Sequence, residues 1–308
     1  YDTDHFSSEG PVVGQLKPSE VPDRIGAPIG PVPPISSDPP FHAEARRLLL
    51  PAFSPKKIDP WREEVIEICN KLIDDMGDAD HIDAALQYSQ HIPVMVIARM
   101  LGLPVEDGDR FRGWVNLVLS GIGEERTEER MAKFEEFNQY LAYHVNDHME
   151  NPREDLISFL LNAEIMGQKL SLEHTVGTVI LLLIAGIDTT WSGIGSSLWH
   201  LASNSVDRRR LVENPDMIPA AIEEFLRAYA PVTMARIVKE DMEFHGVQMK
   251  QEDWVLLPFP AANRDDKQFD DAHIVQIDRE ENRHAAFGLG IHRCLGSNLA
   301  RLEMNVAI

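Results

Sequence analysis

The stretch that most constrains this chain runs from Ser171 to Ser203, where about 13 consecutive positions, Thr175 to Ile187, carry no charge before Asp188 interrupts them. At a rise of about 1.5 Å per residue a helix over 171–203 is about 50 Å long, enough to cross a whole domain. The apolar run is shorter than the ~18 residues that span a bilayer, so it reads as a buried central helix and no membrane partner is expected. The rest of the chain is built to surround such a helix. Asp59-Pro60 supplies a start signal, Val65, Ile68, Leu72 and Met76 recur at helical spacing, and Gly77 provides an exit. Similar patterns predict helices over 84–101, 106–121, 124–150, 152–163 and 217–229, and a last one over 295–308 with Leu295, Leu299, Leu302 and Val306 on one face. Only Arg236 to Phe259 alternates like short strands. The expected fold class is therefore mainly α, a helical bundle with a long central helix and a small β-sheet. Nine of the twenty prolines fall between Pro11 and Pro40, which predicts a long irregular loop there.

Charge and cysteine content exclude several functions. Fifty acidic side chains against 29 basic ones give a formal net charge of -21, with no basic stripe for a phosphate backbone, so nucleic acid is not an expected partner. Two cysteines, Cys69 and Cys294, cannot form a disulfide framework, and with no visible signal peptide the expected location is the cytoplasm. The chain opens at Tyr1 without a methionine and stops at Ile308 inside a helical pattern, which reads as truncation at both ends.

Cys69 sits on a helix at no special spacing and reads as a small buried hydrophobe. Cys294 sits differently, in the segment FGLGIHRCLG. A helix over 295–308 would direct partial positive charge towards its sulfur and favour the thiolate. Glycines at 288, 290 and 296 remove side chains where a backbone must turn tightly or approach a flat ligand. A lone sulfur argues against zinc or an iron–sulfur cluster and for a cofactor that brings its own remaining ligands, as haem does.

Phe287, Gly288, Gly290, His292, Cys294 and Gly296 resemble the haem-thiolate signature of the cytochrome P-450 monooxygenases. Three further matches follow the family's order: HxxxR at His42–Arg46, AGIDTT at Ala185–Thr190 and ExxR at Glu224–Arg227. The resemblance, closest to the soluble bacterial branch, implies a single haem domain over 1–308, partial at both ends, with haem b held by Cys294 as axial thiolate. It implies that Phe287, Gly288 and Gly296 shape the cofactor loop, and that His42, Arg46, Arg236 and His292 contact the propionates. Glu224, Arg227 and Arg279 are implied as a structural lock on the cysteine-bearing loop. By their spacing alone, Glu224 and Arg227 would be a surface ion pair worth about 0.2–0.5 kcal/mol.

By the same resemblance Asp188 relays protons and Thr189 offers its hydroxyl to dioxygen or its water, although mid-helix threonines also bond back to their own carbonyls. Ile180, Ile184, Ala185, Val232 and Thr233 are implied to line a mostly apolar substrate pocket. The activity implied is monooxygenation of a hydrophobic small molecule, with electrons from a ferredoxin or flavodoxin-type donor and its NAD(P)H reductase, or from a fused reductase outside this chain. A peroxide-using or rearranging enzyme of the same fold, and a non-catalytic haem protein, are the alternatives. The i,i+4 pair His144 and His148 has no third ligand in sight and reads as a solvated helix face.

Overall fold

The structure is a computed structural model that describes residues 2–9, 33–120 and 128–308. Most of the proline-rich segment, and residues 124–127 of one expected helix, lie outside the described residues. In chain order the elements are β1 (Phe6–Ser7), α1 (Phe41–Leu49), α2 (Pro55–Ile58), α3 (Arg62–Met76), α4 (His91–Leu101), α5 (Gly108–Ser120), α6 (Glu128–Glu150) and α7 (Leu156–Leu161). These are followed by β2 (Glu164–Ile165), β3 (Gln168–Lys169), α8 (Leu172–Ser203), α9 (Ser205–Glu213) and α10 (Ile218–Ala228). The chain ends with β4 (Thr233–Val238), β5 (Met242–Phe244), β6 (Val247–Met249), β7 (Trp254–Pro258), α11 (Phe259–Ala262) and α12 (Ser297–Ala307).

The fold is mainly helical, as the periodicity predicts, and the central pattern forms one unbroken 32-residue helix. By length and composition α8 could cross a bilayer, yet 67% of its most apolar window is buried inside the protein, which is how a core helix behaves. Local chemistry moved several boundaries. The pattern over 84–101 breaks into a π turn at Ala85–Ser89 and then α4, because Pro93 is tolerated only in the first turn of a helix. The pattern over 152–163 contracts to α7, where Asp155 caps the start by accepting the Ser158 N–H at 2.8 Å. Behind it Met166 and Gly167, at φ 55° and 77°, make the tight turn of a two-residue hairpin, β2–β3, too short to show alternation in the sequence. Helix α9 was not anticipated. Its segment SVDRRRLVE carries little apolar periodicity, and Asn204 starts it by accepting the Val206 and Asp207 N–H groups, both at 3.1 Å.

The chain divides into two compact units. One comprises Tyr1–Pro51, Val96–Ala185 and Ala235–Leu256. Its sheet has the strand order β1-β4-β7, with Phe6 opposite Val238 and Ser7 opposite Ile237, and a separate hairpin joins β5 to β6. Its helical core is aromatic, with Trp114 stacked on Phe137 at 4.8 Å between α5 and α6. Here the structure corrects the reading of the histidine pair. His148 is 1% exposed, and it bonds the Asp155 carboxylate at 3.0 Å and the His144 carbonyl at 2.6 Å. It belongs to the joint between α6 and α7, not to a solvated face.

The other unit comprises Ala52–Met95, Gly186–Met234 and Leu257–Ile308. Its interior contains a cluster of Leu201, Leu211, Ala221, Phe225 and Ile277. Helix α12 lies against α3, where Tyr88 Oη donates to the Ala307 carbonyl at 3.1 Å and Cys69 is buried. Cys69 is thus the small interior residue that its position predicts.

Candidate functional site

The Cys294 segment lies wholly in the second unit and is held mainly by its own backbone. The Cys294 N–H donates to the Phe287 carbonyl at 2.8 Å, Gly288 to Ala285 at 2.8 Å and Arg293 to Gly290 at 3.0 Å, with one 3-10 turn at Gly290–His292. Gly288 and Gly290 adopt φ values of 66° and 76°, which L side chains rarely take. A Cβ on Gly288 would also lie 3.3 Å from the Phe259 ring. Gly296 differs from expectation: its φ is -81° and a Cβ there would meet open space. The turn therefore requires glycine at two positions, not three. Cys294 ends the loop exposed, three residues before the first residue of α12.

A buried carboxylate anchors the chain that leads into this loop. Glu224 and Arg227, each with a fully buried side chain, form two hydrogen bonds of 2.7 Å across one turn of α10. Arg227 also donates to the carbonyls of Asn263, Ala272 and Ile274 at 2.7, 2.7 and 2.9 Å. Glu224 accepts further from the Gln276 N–H at 2.8 Å, and from Arg279 Nε and Asn282 Nδ2 at 3.0 Å each. Burial works to raise the Glu224 carboxyl, but these donors, led by Arg227, hold it below its usual range. The pair is far from the exposed i,i+3 contact that spacing alone suggests. Breaking it would strand a buried charge, which costs about 3–5 kcal/mol.

Asn263 extends the anchor, accepting the Ala285 N–H on its Oδ1 at 2.6 Å while its carbonyl holds Arg227. Sequence reasoning missed Asn263 and Asn282. Neither stands at a helical interval from its partners, so only folding brings them together.

On α8, Asp188 and Thr189 are half-buried in the second unit. Burial raises the Asp188 carboxyl, and a hydrogen bond with Trp191 opposes that shift. An acid so placed exchanges a proton more readily near neutrality than an exposed one does. Of the apolar positions, Ile180 is buried, Ile184 half-buried and Ala185 exposed, all on the first-unit part of α8. Val232 is half-buried and Thr233 opens β4 exposed, both in the second unit.

The first unit gathers basic groups. His42 and Arg46 stand one turn apart on α1, and Arg236 lies on β4. His42 is 2% exposed, and burial, reinforced by the Arg46 and Arg236 charges and opposed by Asp38, lowers it to about 4. Burial lowers the Arg236 guanidinium too, again opposed by Asp38. A donor set this rich in partly desolvated bases suits ligand carboxylates. Within the second unit the residues present fit a haem iron: an exposed thiol at the end of a glycine-shaped turn.

The cytochrome P-450 family model matches residues 33–308. The chain is 35% identical over 275 residues to the polyketide-biosynthesis cytochrome PksS of Bacillus subtilis, covering 89% of this chain and 68% of that protein. It is 34% identical to the mycinamicin IV hydroxylase/epoxidase of Micromonospora griseorubida, at 89% and 70% coverage. Among solved structures, CYP109E1 of Bacillus megaterium in complex with testosterone superimposes with a TM-score of 0.86 at 33% identity, over 99% of this chain and 78% of that one. With a family model that spans most of its length and relatives that agree in sequence and in fold, the chain belongs to the cytochrome P-450 monooxygenase family.

Proposed function

We propose that this chain is part of one haem domain that binds haem b through the Cys294 thiolate and oxidises a hydrophobic small molecule. The observation that carries the reading is the Cys294 turn, whose two positive-φ glycines and backbone bonds leave an exposed thiol at its end. When bound, the haem supplies dioxygen activation, and a thiolate ligand favours O–O cleavage. The protein's own residues do the rest. His42, Arg46, Arg236 and His292 hold the carboxylates, Phe287, Gly288 and Gly290 shape the loop, and the Glu224–Arg227–Arg279 anchor fixes the chain before it. Asp188 holds a proton and passes it on, with the Thr189 hydroxyl as the next group. Such a relay favours monooxygenation with reductant over peroxide use, because reductive oxygen cleavage consumes protons in a dry site.

Ile180, Ile184, Ala185, Val232 and Thr233 are taken as the substrate-facing positions. Their apolar character, together with the testosterone of the similar CYP109E1 structure, supports a bulky apolar substrate. Electrons come from a ferredoxin or flavodoxin-type donor with its NAD(P)H reductase, or from a fused reductase, in the cytoplasm. The test is Cys294→Ser in the haem-loaded protein. Loss of the thiolate-type carbon monoxide band and of reductant-driven oxidation is expected, and a variant that kept both would overturn the proposal.

A further inference from the structure

Beside the Glu224 anchor stands a second carboxylate that no motif of the family reading includes. Glu223, also on α10, takes Arg301 of α12 in a two-pronged bond, Nε to Oε1 at 2.6 Å and Nη2 to Oε2 at 2.8 Å. Its Oε2 also lies 3.0 Å from His284 Nε2. The opposite nitrogen of that ring, Nδ1, accepts the Ala286 N–H at 3.1 Å, so His284 presents its Nε2 proton to Glu223. The Arg301 guanidinium stacks 4.5 Å over the Phe287 ring, and the Phe287 carbonyl is the acceptor for the Cys294 N–H. Every member belongs to the second unit.

Burial alone would raise the Glu223 carboxyl, but Arg301 and then His284 bring it down to about 2, so it is ionised across the physiological range. The side chains of Glu223 and Arg301 are 31% and 30% exposed and that of His284 is 3% exposed, so the network runs from the surface to a buried ring next to the loop. The buried anchor holds the approach to the loop through Asn263 and Ala285, whereas Glu223 acts within it, at Ala286 and Phe287.

We propose that Glu223 is a positioning residue for the Cys294 loop: through Arg301 and His284 it fixes Phe287 and Ala286, and thereby the backbone that presents the thiolate. The geometric part stands on the chain alone, while its effect on a bound haem rests on the haem-thiolate reading. A loop held less firmly lets the sulfur move or take a proton, and either change weakens it as an electron donor to iron.

The experiment compares Glu223→Gln and Arg301→Lys with the wild type and with Arg210→Gln, which breaks the Arg210–Asp278 surface pair at 2.5 Å. Hydrogen exchange of the Gly288, Arg293 and Cys294 amides is measured first, without haem. Loss of one charge-assisted interaction predicts exchange about tenfold faster at these amides in both network variants, with α3 and the Arg210→Gln control unchanged. In the haem-loaded protein the same two variants are expected to shift the reduction potential and to lose part of the thiolate-type carbon monoxide band. Glu223→Asp, which keeps the charge, should restore part of both. Unchanged loop exchange with a uniform fall in global stability would overturn the proposal, leaving Glu223 as a bridge between helices. If loop exchange responds but even the wild type shows no thiolate-type band, the positioning role stands and the haem-thiolate reading fails.

Discussion

Single residues in this protein are decided by whether burial comes with partners. Glu224 is fully buried and receives five side-chain or backbone donors from four residues, so it stays ionised. Glu303 on α12 is 1% exposed, and its Oε2 has no hydrogen-bond partner among the described residues, so burial raises it to about 8. A raised acid stabilises the fold fully below its ordinary value of 4.5, and that contribution is lost as pH climbs through about 8, because the folded state then holds a proton that the unfolded state has released. Glu303→Gln removes this dependence. Denaturant unfolding at pH 5 and pH 8 is expected to show the variant gaining stability relative to wild type at the higher pH, by about 1 kcal/mol or more. An equal difference at both pH values would show that Glu303 does not titrate in this range.

Helices and strands here owe their limits to local chemistry more than to hydrophobic pattern. Long amphipathic or wholly apolar segments such as α3, α8 and α10 were legible, because their burial repeats over several turns. Short ones were not. Helix α9 depends on Asn204, whose side chain satisfies two of the N–H groups that a helix start leaves open. Asn204→Ala is expected to cost about 1 kcal/mol in thermal or urea unfolding, with its largest local effect in hydrogen exchange of the first turn of α9. An alanine variant as stable as the wild type would mean that the packing of Leu211, 5% exposed, carries the element alone.

At the scale of the whole molecule the dominant quantity is charge. A formal net charge of -21 on 308 residues places repulsion throughout the chain, and it is relieved when salt shortens the screening length to about 8 Å at physiological ionic strength. Exposed pairs such as Lys71–Asp75 are weakened by the same salt, but such pairs are worth at most about 1 kcal/mol each. The melting temperature is therefore expected to rise by about a few degrees from low salt to 0.15 M. A fall would show that attractive pairs outweigh the net repulsion. The sequence by itself determined the helical class, the central helix and the cysteine segment, because each follows from residues close along the chain. Only the tertiary structure decided that Glu224 gathers Arg279 and Asn282 from more than 50 positions away, that Asn263 ties Arg227 to Ala285, and that Glu223 bridges α12 to the loop. Hydrogen bonds across such separations leave no periodicity in the sequence, since they form only where packing has already brought the backbone together.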